Sequence, residues 1–70
     1  MNKYSADIGT WERFVVYEFE APNDESALNM AFDHWRKNKK KYGSDSDVVQ
    51  LYCGKVLVWD YYGNGRIKER

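Results

Sequence analysis

Basic side chains occupy five of the six positions from Arg36 to Lys41 in the segment RKNKKK. Lysine and arginine at this density could bind the phosphate groups of a nucleic acid, and each phosphate contact would make binding more sensitive to salt. The C-terminal segment contains further basic side chains that could bind phosphate groups. The residues of this candidate nucleic-acid site are Lys37, Lys40, Lys41, Arg66, Lys68 and Arg70.

The same lysines suit the C-terminal end of a helix, where cations interact favourably with free carbonyl groups. Asp24 and Glu25 lie in the first turn of that predicted helix, so acids begin it and bases end it. A net charge of zero also argues against strong nonspecific binding to nucleic acid. We therefore expect the basic segment to complete a helix, and nucleic-acid binding is the alternative function.

His34 and Cys53 are the only histidine and cysteine, and they are the obvious candidates for catalysis or metal binding. A catalytic histidine needs a nucleophile and an orienting carboxylate that converge in space, and Asp33 points elsewhere on the same helix. A structural zinc site needs more soft ligands than these two residues provide. We expect no enzyme activity, no cofactor and no metal site.

The elements that position these side chains follow from the hydrophobic spacing. The segment from Trp11 to Glu20 is rich in β-branched and aromatic residues, which indicates a strand whose odd-numbered side chains face the core. A helix follows, capped by Asn23 or Asp24 and ended by Gly43. Its apolar stripe consists of Leu28, Ala31, Phe32, Trp35 and Tyr42.

Two further strands flank Gly54 and Lys55, a pair suited to a tight hairpin turn. A two-residue turn predicts the cross-strand pairs Cys53–Val56, Leu51–Val58 and Val49–Asp60. The element order is then β-α-β-β. We predict an α+β fold in which one helix packs on a three-stranded antiparallel sheet of strand order 1-3-2. We expect one small domain over residues 1–70, with flexible tails at 1–10 and 63–70.

The sheet face away from the helix is the surface whose role has to be explained. A single helix cannot cover both faces of a sheet, and an exposed aromatic patch usually marks an interaction site. The predicted protein-binding patch consists of Phe14, Val16, Tyr52, Leu57, Trp59 and Tyr61. Three occupants are open: the terminal segments together with Trp11 and Tyr4, a second copy of the chain, or a foreign partner. A foreign partner could be a protein or a nucleic acid whose bases stack on the aromatic rings, and protein is favoured because Glu12, Glu18 and Glu20 would repel phosphates.

The sequence therefore predicts a small non-enzymatic module that binds protein, either as a homodimer or against a larger complex. Phage and mobile-element inhibitors work in this way by occluding a partner's surface, and we expect a function of that type. No secretory signal is visible and no apolar run is long enough to span a membrane, which favours a cytoplasmic location. We expect neither a membrane partner nor a small-molecule substrate.

Overall fold

The computed structural model describes residues 1–67, which form one antiparallel sheet with the main helix on one side. Its elements are β1 (Asn2–Gly9), β2 (Phe14–Ala21), α1 (Asp24–Lys37), α2 (Lys39–Tyr42), β3 (Asp47–Cys53) and β4 (Val56–Asp60). The strands lie in the order β2-β1-β3-β4, and every neighbouring pair is antiparallel. The predicted α+β class with an antiparallel sheet and one main helix is confirmed. The predicted three strands in the order 1-3-2 are wrong, because an additional N-terminal strand lies inside the sheet.

β1 is that additional strand, in a segment for which the sequence predicts a flexible tail at residues 1–10. Tyr4, Ala6 and Ile8 are buried in the core together with residues of α1. The residues between them face away from α1, as the two-residue period of a strand requires. The tail prediction was wrong because the segment has a low apolar content. Its buried and exposed side chains do alternate as in a strand, but many of them are short or polar.

β2 begins at Phe14 rather than at Trp11, because residues 10–13 form the loop that joins it to β1. The amide of the first loop residue donates a hydrogen bond to the Arg13 carbonyl oxygen at 2.7 Å. The backbone at Gly9 has a φ of 147°, and a Cβ there would lie 2.3 Å from the same oxygen. Only glycine leaves room for this loop.

α1 begins and ends at asparagines whose side chains make hydrogen bonds to the backbone. The Asn23 side chain accepts a hydrogen bond from the Ser26 amide at 2.8 Å, which caps the helix as predicted. The Asn38 side-chain amide donates to the His34 carbonyl oxygen at 2.8 Å, and the backbone leaves helical geometry there. The predicted single helix is therefore divided into α1 and the short α2, and Gly43, with a φ of 102°, ends only the second.

The core lies between α1 and the sheet. The predicted helical stripe is confirmed: Leu28, Ala31 and Phe32 are buried, and the side chains of Trp35 and Tyr42 pack against them. The sheet contributes Tyr4, Ala6, Ile8, Ala21, Val48, Leu51, Val58 and Trp59, with Tyr17, Phe19 and Cys53 at the margin. The odd-numbered side of β2 thus meets the core as predicted.

The β3–β4 hairpin contains an irregularity that changes its register. The predicted Cys53–Val56 pair at the turn is confirmed. Further from the turn β4 contains one extra residue, so that Leu51 pairs with Trp59 rather than with Val58. The predicted pairs Leu51–Val58 and Val49–Asp60 are therefore wrong.

This bulge moves Trp59 from the exposed face, where the sequence predicts it, into the core. An extra residue in one strand reverses the side to which later side chains point. Trp59 is only 9% exposed, and its ring meets Phe32 edge-on with the centroids 5.4 Å apart. The placement of Trp59 in the exposed patch was wrong.

The segment after β4 returns along that strand. The backbone amides of residues 66 and 67 donate to the carbonyl oxygens of Leu57 and Val58 at 3.3 and 2.9 Å. The predicted flexible tail is therefore wrong for this part, because its backbone is hydrogen-bonded to β4. Residues 68–70 lie outside the described residues.

Candidate interaction surface

The sheet face away from α1 is formed by alternate side chains of the strands, and we call it the open face. Its residues are Lys3, Ser5, Asp7, Phe14, Val16, Glu18, Glu20, Gln50, Tyr52, Leu57 and Asp60. The register places them in rows across the sheet, among them Val16–Asp7–Gln50–Asp60 and Glu18–Ser5–Tyr52–Leu57. Because β1 is central, its polar side chains occupy the middle of this face.

The structure divides the predicted aromatic patch into two groups. Phe14 and Val16 lie on β2 and are 45% and 51% exposed. Tyr52 and Leu57 form a half-buried pair across β3 and β4. The polar residues of β1 separate the two groups, so the open face has no continuous aromatic surface.

Aromatic side chains from two loops cover one end of the sheet. Trp11 stacks on Tyr62 with the ring centroids 5.3 Å apart, and Tyr62 meets Tyr61 edge-on at 5.5 Å. These rings line a shallow cleft beside Val49, which is buried. Tyr61, a predicted patch residue, is therefore exposed but lies beyond the end of β4, apart from the two groups.

The two edges of the sheet differ in how they are protected. β4 is short and bulged, and the returning C-terminal segment donates hydrogen bonds to it. β2 is eight residues long and pairs regularly with β1, and no other element of residues 1–67 pairs with its outer edge. Phe14, Val15 and Val16 on this edge are each about half exposed, at 45%, 55% and 51%. An uncovered apolar edge strand is a template for pairing with another chain.

Asp7 lies at the centre of the open face, between Val16 of β2 and Gln50 of β3. It is only 8% exposed, and no residue in the described part of the chain forms a hydrogen bond or ion pair with its carboxylate. Its oxygens keep a small opening to solvent. Burial raises the pKa of Asp7, because removing water disfavours the charged form. A buried carboxylate without a partner destabilises the fold in which it sits.

A row of stacked rings runs from the helix to the sheet on the opposite side. The His34 ring stacks on Tyr17 at 3.7 Å, Tyr17 stacks on Phe19 at 5.0 Å, and Phe19 stacks on Tyr4 at 5.9 Å. The His34 Nε2 lies 2.8 Å from the Tyr42 hydroxyl. Burial and the charge of Lys41 lower the pKa of His34, so the neutral ring is favoured.

These contacts give His34 a packing role. Its nearest sequence acid, Asp33, forms an ion pair with Lys37 at 3.1 Å. The ring nitrogens of His34 lie within hydrogen-bonding distance of a hydroxyl and an amide instead, from Tyr42 and Asn38. The arrangement fixes the junction between α1 and α2 against β2.

The basic segment makes contacts within the chain. Lys37 pairs with Asp33, while the Lys39 ammonium lies 4.6 Å from the centre of the Trp35 ring. The Lys41 ammonium lies 5.5 Å from the centre of the Tyr42 ring. Cation–π contacts and ion pairs of this kind hold the lysine stems along the helix surface. Lys40 is exposed.

The predicted basic residues of the C-terminal segment are separated from this cluster. Arg66 lies against the start of α1, where its Nε and Nη2 bind the Asp24 carboxylate at 2.6 and 2.7 Å. Its pKa is raised by this contact, and the pKa of Asp24 is lowered by it. Lys68 and Arg70 lie outside the described residues. The described part of the predicted nucleic-acid site therefore occupies two places, one at each end of α1.

Comparison with known proteins adds no relative: no family model, curated protein or solved structure matches this chain. Among the described residues, no group of three or more histidine, cysteine and acidic side chains could hold a metal ion. No helix within residues 1–67 is long and apolar enough to cross a membrane.

Sequence reasoning missed Asp7 and the open edge of β2. The alternation of Tyr4, Ala6 and Ile8 with polar residues was the available signal for β1, and it would have placed Asp7 on the open face. The open edge depends on strand order, which local patterns do not specify.

Proposed function

We propose that this chain is a protein-interaction module that binds an extended segment of a partner protein along the outer edge of β2. The observation that carries the proposal is the contrast between the two sheet edges. The edge of β4 is covered by the returning C-terminal segment, whereas no element of residues 1–67 pairs with the outer edge of the eight-residue β2, which carries three exposed apolar side chains. Natural proteins usually cover, shorten or charge such an edge, and on β2 the two charged residues lie only in the second half of the strand.

Strand addition would use both the backbone and the side chains of β2. The outward backbone N–H and C=O groups of β2 would supply affinity, because an added strand completes their hydrogen bonds. Alternate side chains of the added strand would then face Phe14 and Val16 on the open face and Val15 on the other face. The binding residues are therefore Phe14, Val15 and Val16, of which the first and last belong to the predicted patch.

A foreign partner fits this edge better than a second copy. A second copy would bring its own Glu18 and Glu20 to an edge that already carries these two acids, and like charges brought close together destabilise a strand pair. The acids of β2 therefore favour a partner with basic side chains.

Nucleic-acid binding receives less support than protein binding. Glu18 and Glu20 border the exposed apolar residues and would repel phosphate groups. Three lysines of the basic segment already contact Asp33, Trp35 or Tyr42. Exposed lysines at a helix end are also what helix electrostatics alone produces.

Site-specific photo-crosslinking in cells that produce the chain tests the proposal. One variant carries a benzoylphenylalanine at position 16 on β2, and its control carries it at position 56 on β4. Val16 and Val56 are matched, since they are 51% and 49% exposed. We expect one discrete protein to be linked at position 16 and not at position 56, and mass spectrometry identifies it. Equal labelling at both positions would argue against a specific edge.

The purified partner then allows a direct measurement. Hydrogen exchange should show protection of the β2 amides on complex formation, because strand addition hydrogen-bonds them. Light scattering across a concentration series should give a monomer for the free chain. A concentration-dependent dimer that Val16→Lys splits would show that a second copy occupies this edge.

A further inference from the structure

The open face contains a buried charge that residues 1–67 do not neutralise. Asp7 is more than nine-tenths buried, at 8% exposure, in the row between Val16 and Gln50. Its side chain has no hydrogen-bond or ion-pair partner within residues 1–67. An ionised carboxylate in such a place is costly unless a cation or a hydrogen-bond donor reaches it.

Within residues 1–67, the groups that face Asp7 do not include a nearby cation. β2 presents Val16 and the acid Glu18, β3 presents Gln50, and the acid Asp60 of β4 lies beyond Gln50 in the same row. On β1 itself, Lys3 shares the open face but lies four residues away, roughly 13 Å along the strand. Lys3 is directly opposite Glu20, which is the closer acid. Within residues 1–67, the centre of the open face is therefore negative and unpaired.

We propose that Asp7 is the counter-ion for an arginine or lysine of the bound partner, which crosses β2 over Val16 to reach it. This inference rests on the proposed strand addition at β2. A partner residue opposite Val16 lies two strand spacings from Asp7, roughly 9.6 Å. Long basic side chains place their apolar stems along apolar surface and their charged heads at an acid, and exposed Val16 offers such a surface.

This role accounts for a residue that the fold itself does not favour. An asparagine or serine at position 7 would keep the strand and avoid burying a charge. A cationic partner converts that unfavourable charge into a charge-assisted hydrogen bond, which is stronger than a neutral one. The specificity of the surface would then lie in one position of the partner strand.

Two short synthetic probes test the assignment. Both are blocked peptides of alternating threonine and valine, one with arginine at its centre and the other with citrulline, which has the same shape without the charge. Amide NMR shifts on β2 and β1 give the affinity of each peptide. We expect the arginine peptide to bind about tenfold more tightly, the size expected for a hydrogen bond between charged groups. We also expect the Asp7 pKa, followed by carboxyl NMR, to fall on binding of the arginine peptide alone.

Variants assign the effect to Asp7. Asp7→Asn should bind both peptides equally, whereas Glu18→Gln, one row away on the same face, should keep most of the preference. Lys68 and Arg70 are replaced by alanine in a third variant, which should leave the Asp7 pKa of the free chain unchanged. A change there would assign the counter-ion to the chain's own C-terminus and overturn the proposal.

The remaining outcomes separate this inference from the proposed function. Equal binding of both peptides at β2 would overturn the role of Asp7 and leave strand addition in place. A preference that persists in Asp7→Asn but disappears in Glu18→Gln would place the cation at Glu18 and overturn the inference. No shift on β2 with either peptide would contradict both proposals.

Discussion

Arg66 and Asp24 are joined by two parallel contacts, Nε to Oδ2 at 2.6 Å and Nη2 to Oδ1 at 2.7 Å, although 42 residues separate them in the chain. Asp24 is the first residue of α1 and also accepts a hydrogen bond from the Tyr4 hydroxyl at 2.8 Å. Three parts of the fold therefore meet at one carboxylate: the C-terminal segment, the helix start and the central strand. The contact holds the C-terminal segment in the position from which it covers β4.

Replacement of Arg66 should loosen that cover. We expect Arg66→Met to lower the unfolding temperature modestly, since the side chain is nearly half exposed and water screens the pair. The pKa of Asp24 is lowered by the pair, so this stabilisation is present above its ordinary value of 3.8 and is lost as pH falls through the folded-state pKa. Thermal unfolding at neutral and acidic pH measures both effects. A difference between variant and wild type that persists at the lowest pH would contradict the assignment.

Asp7→Asn should stabilise the fold at neutral pH, by about 1 kcal/mol, because it removes a buried charge that has no partner within residues 1–67. Burial raises the pKa of Asp7 above 3.8, so the folded state binds the proton more tightly than the unfolded state. The wild type therefore loses stability as pH rises from 3.8 through the folded-state pKa, and the variant does not. Urea unfolding of both chains across this range tests the sign. A variant less stable than the wild type at pH 7 would mean that the ionised carboxylate has a favourable partner.

Val16→Lys and Val56→Lys should separate binding from stability. Both valines are about half exposed, at 51% and 49%, so each change should alter the free energy of unfolding by less than about 1 kcal/mol. Only Val16→Lys should weaken binding of the crosslinked partner, because a lysine there repels the predicted basic strand and removes the apolar contact. Titration calorimetry with the purified partner measures the difference. Equal losses in both variants would point to a general effect of added charge.

Local patterns predicted the helix well because its signals are local. The Asn23 cap and the stripe through Leu28, Ala31 and Phe32 depend on neighbours within a few turns, and they appear in the structure as expected. The break at Asn38 was not predicted. An asparagine can lie inside a helix or end one, and here a hydrogen bond from its side chain to the backbone accompanies the end, which the sequence alone does not reveal.

The candidate surface was harder to predict because it depends on long-range register. The extra residue in β4 at Val58 moves Trp59 from the open face to the core. The sequence does not reveal this shift, because a valine and a tryptophan can each lie on either side of a strand. Phe14 and Val16 were placed correctly on the open face, since the parity of β2 follows directly from its own alternation. The polar centre of that face, including Asp7, comes from a strand that the sequence predicts to be a tail.

Trp59→Ala should be strongly destabilising now that the ring is known to lie in the core. Its contact with Phe32 and its 9% exposure predict a loss of about 3–5 kcal/mol, which a small domain tolerates poorly. Tyr61→Ala, two residues away but 59% exposed, should cost less than about 0.5 kcal/mol. Circular dichroism during urea unfolding measures both. Equal stability of the two variants would contradict the position of Trp59 in the core.

His34 should make the stability of the fold sensitive to mild acid. Its pKa is lowered below the ordinary value of 6.5, first by burial and then by the charge of Lys41. The unfolded chain therefore takes up the proton first, and stability falls as pH drops from 6.5 through the folded-state pKa. The contacts of the ring within residues 1–67 include no carboxylate: Tyr17 stacks on it, and Tyr42 and Asn38 approach its nitrogens. In His34→Gln the same acid step should be smaller, and a step of equal size would assign the pH dependence to other groups.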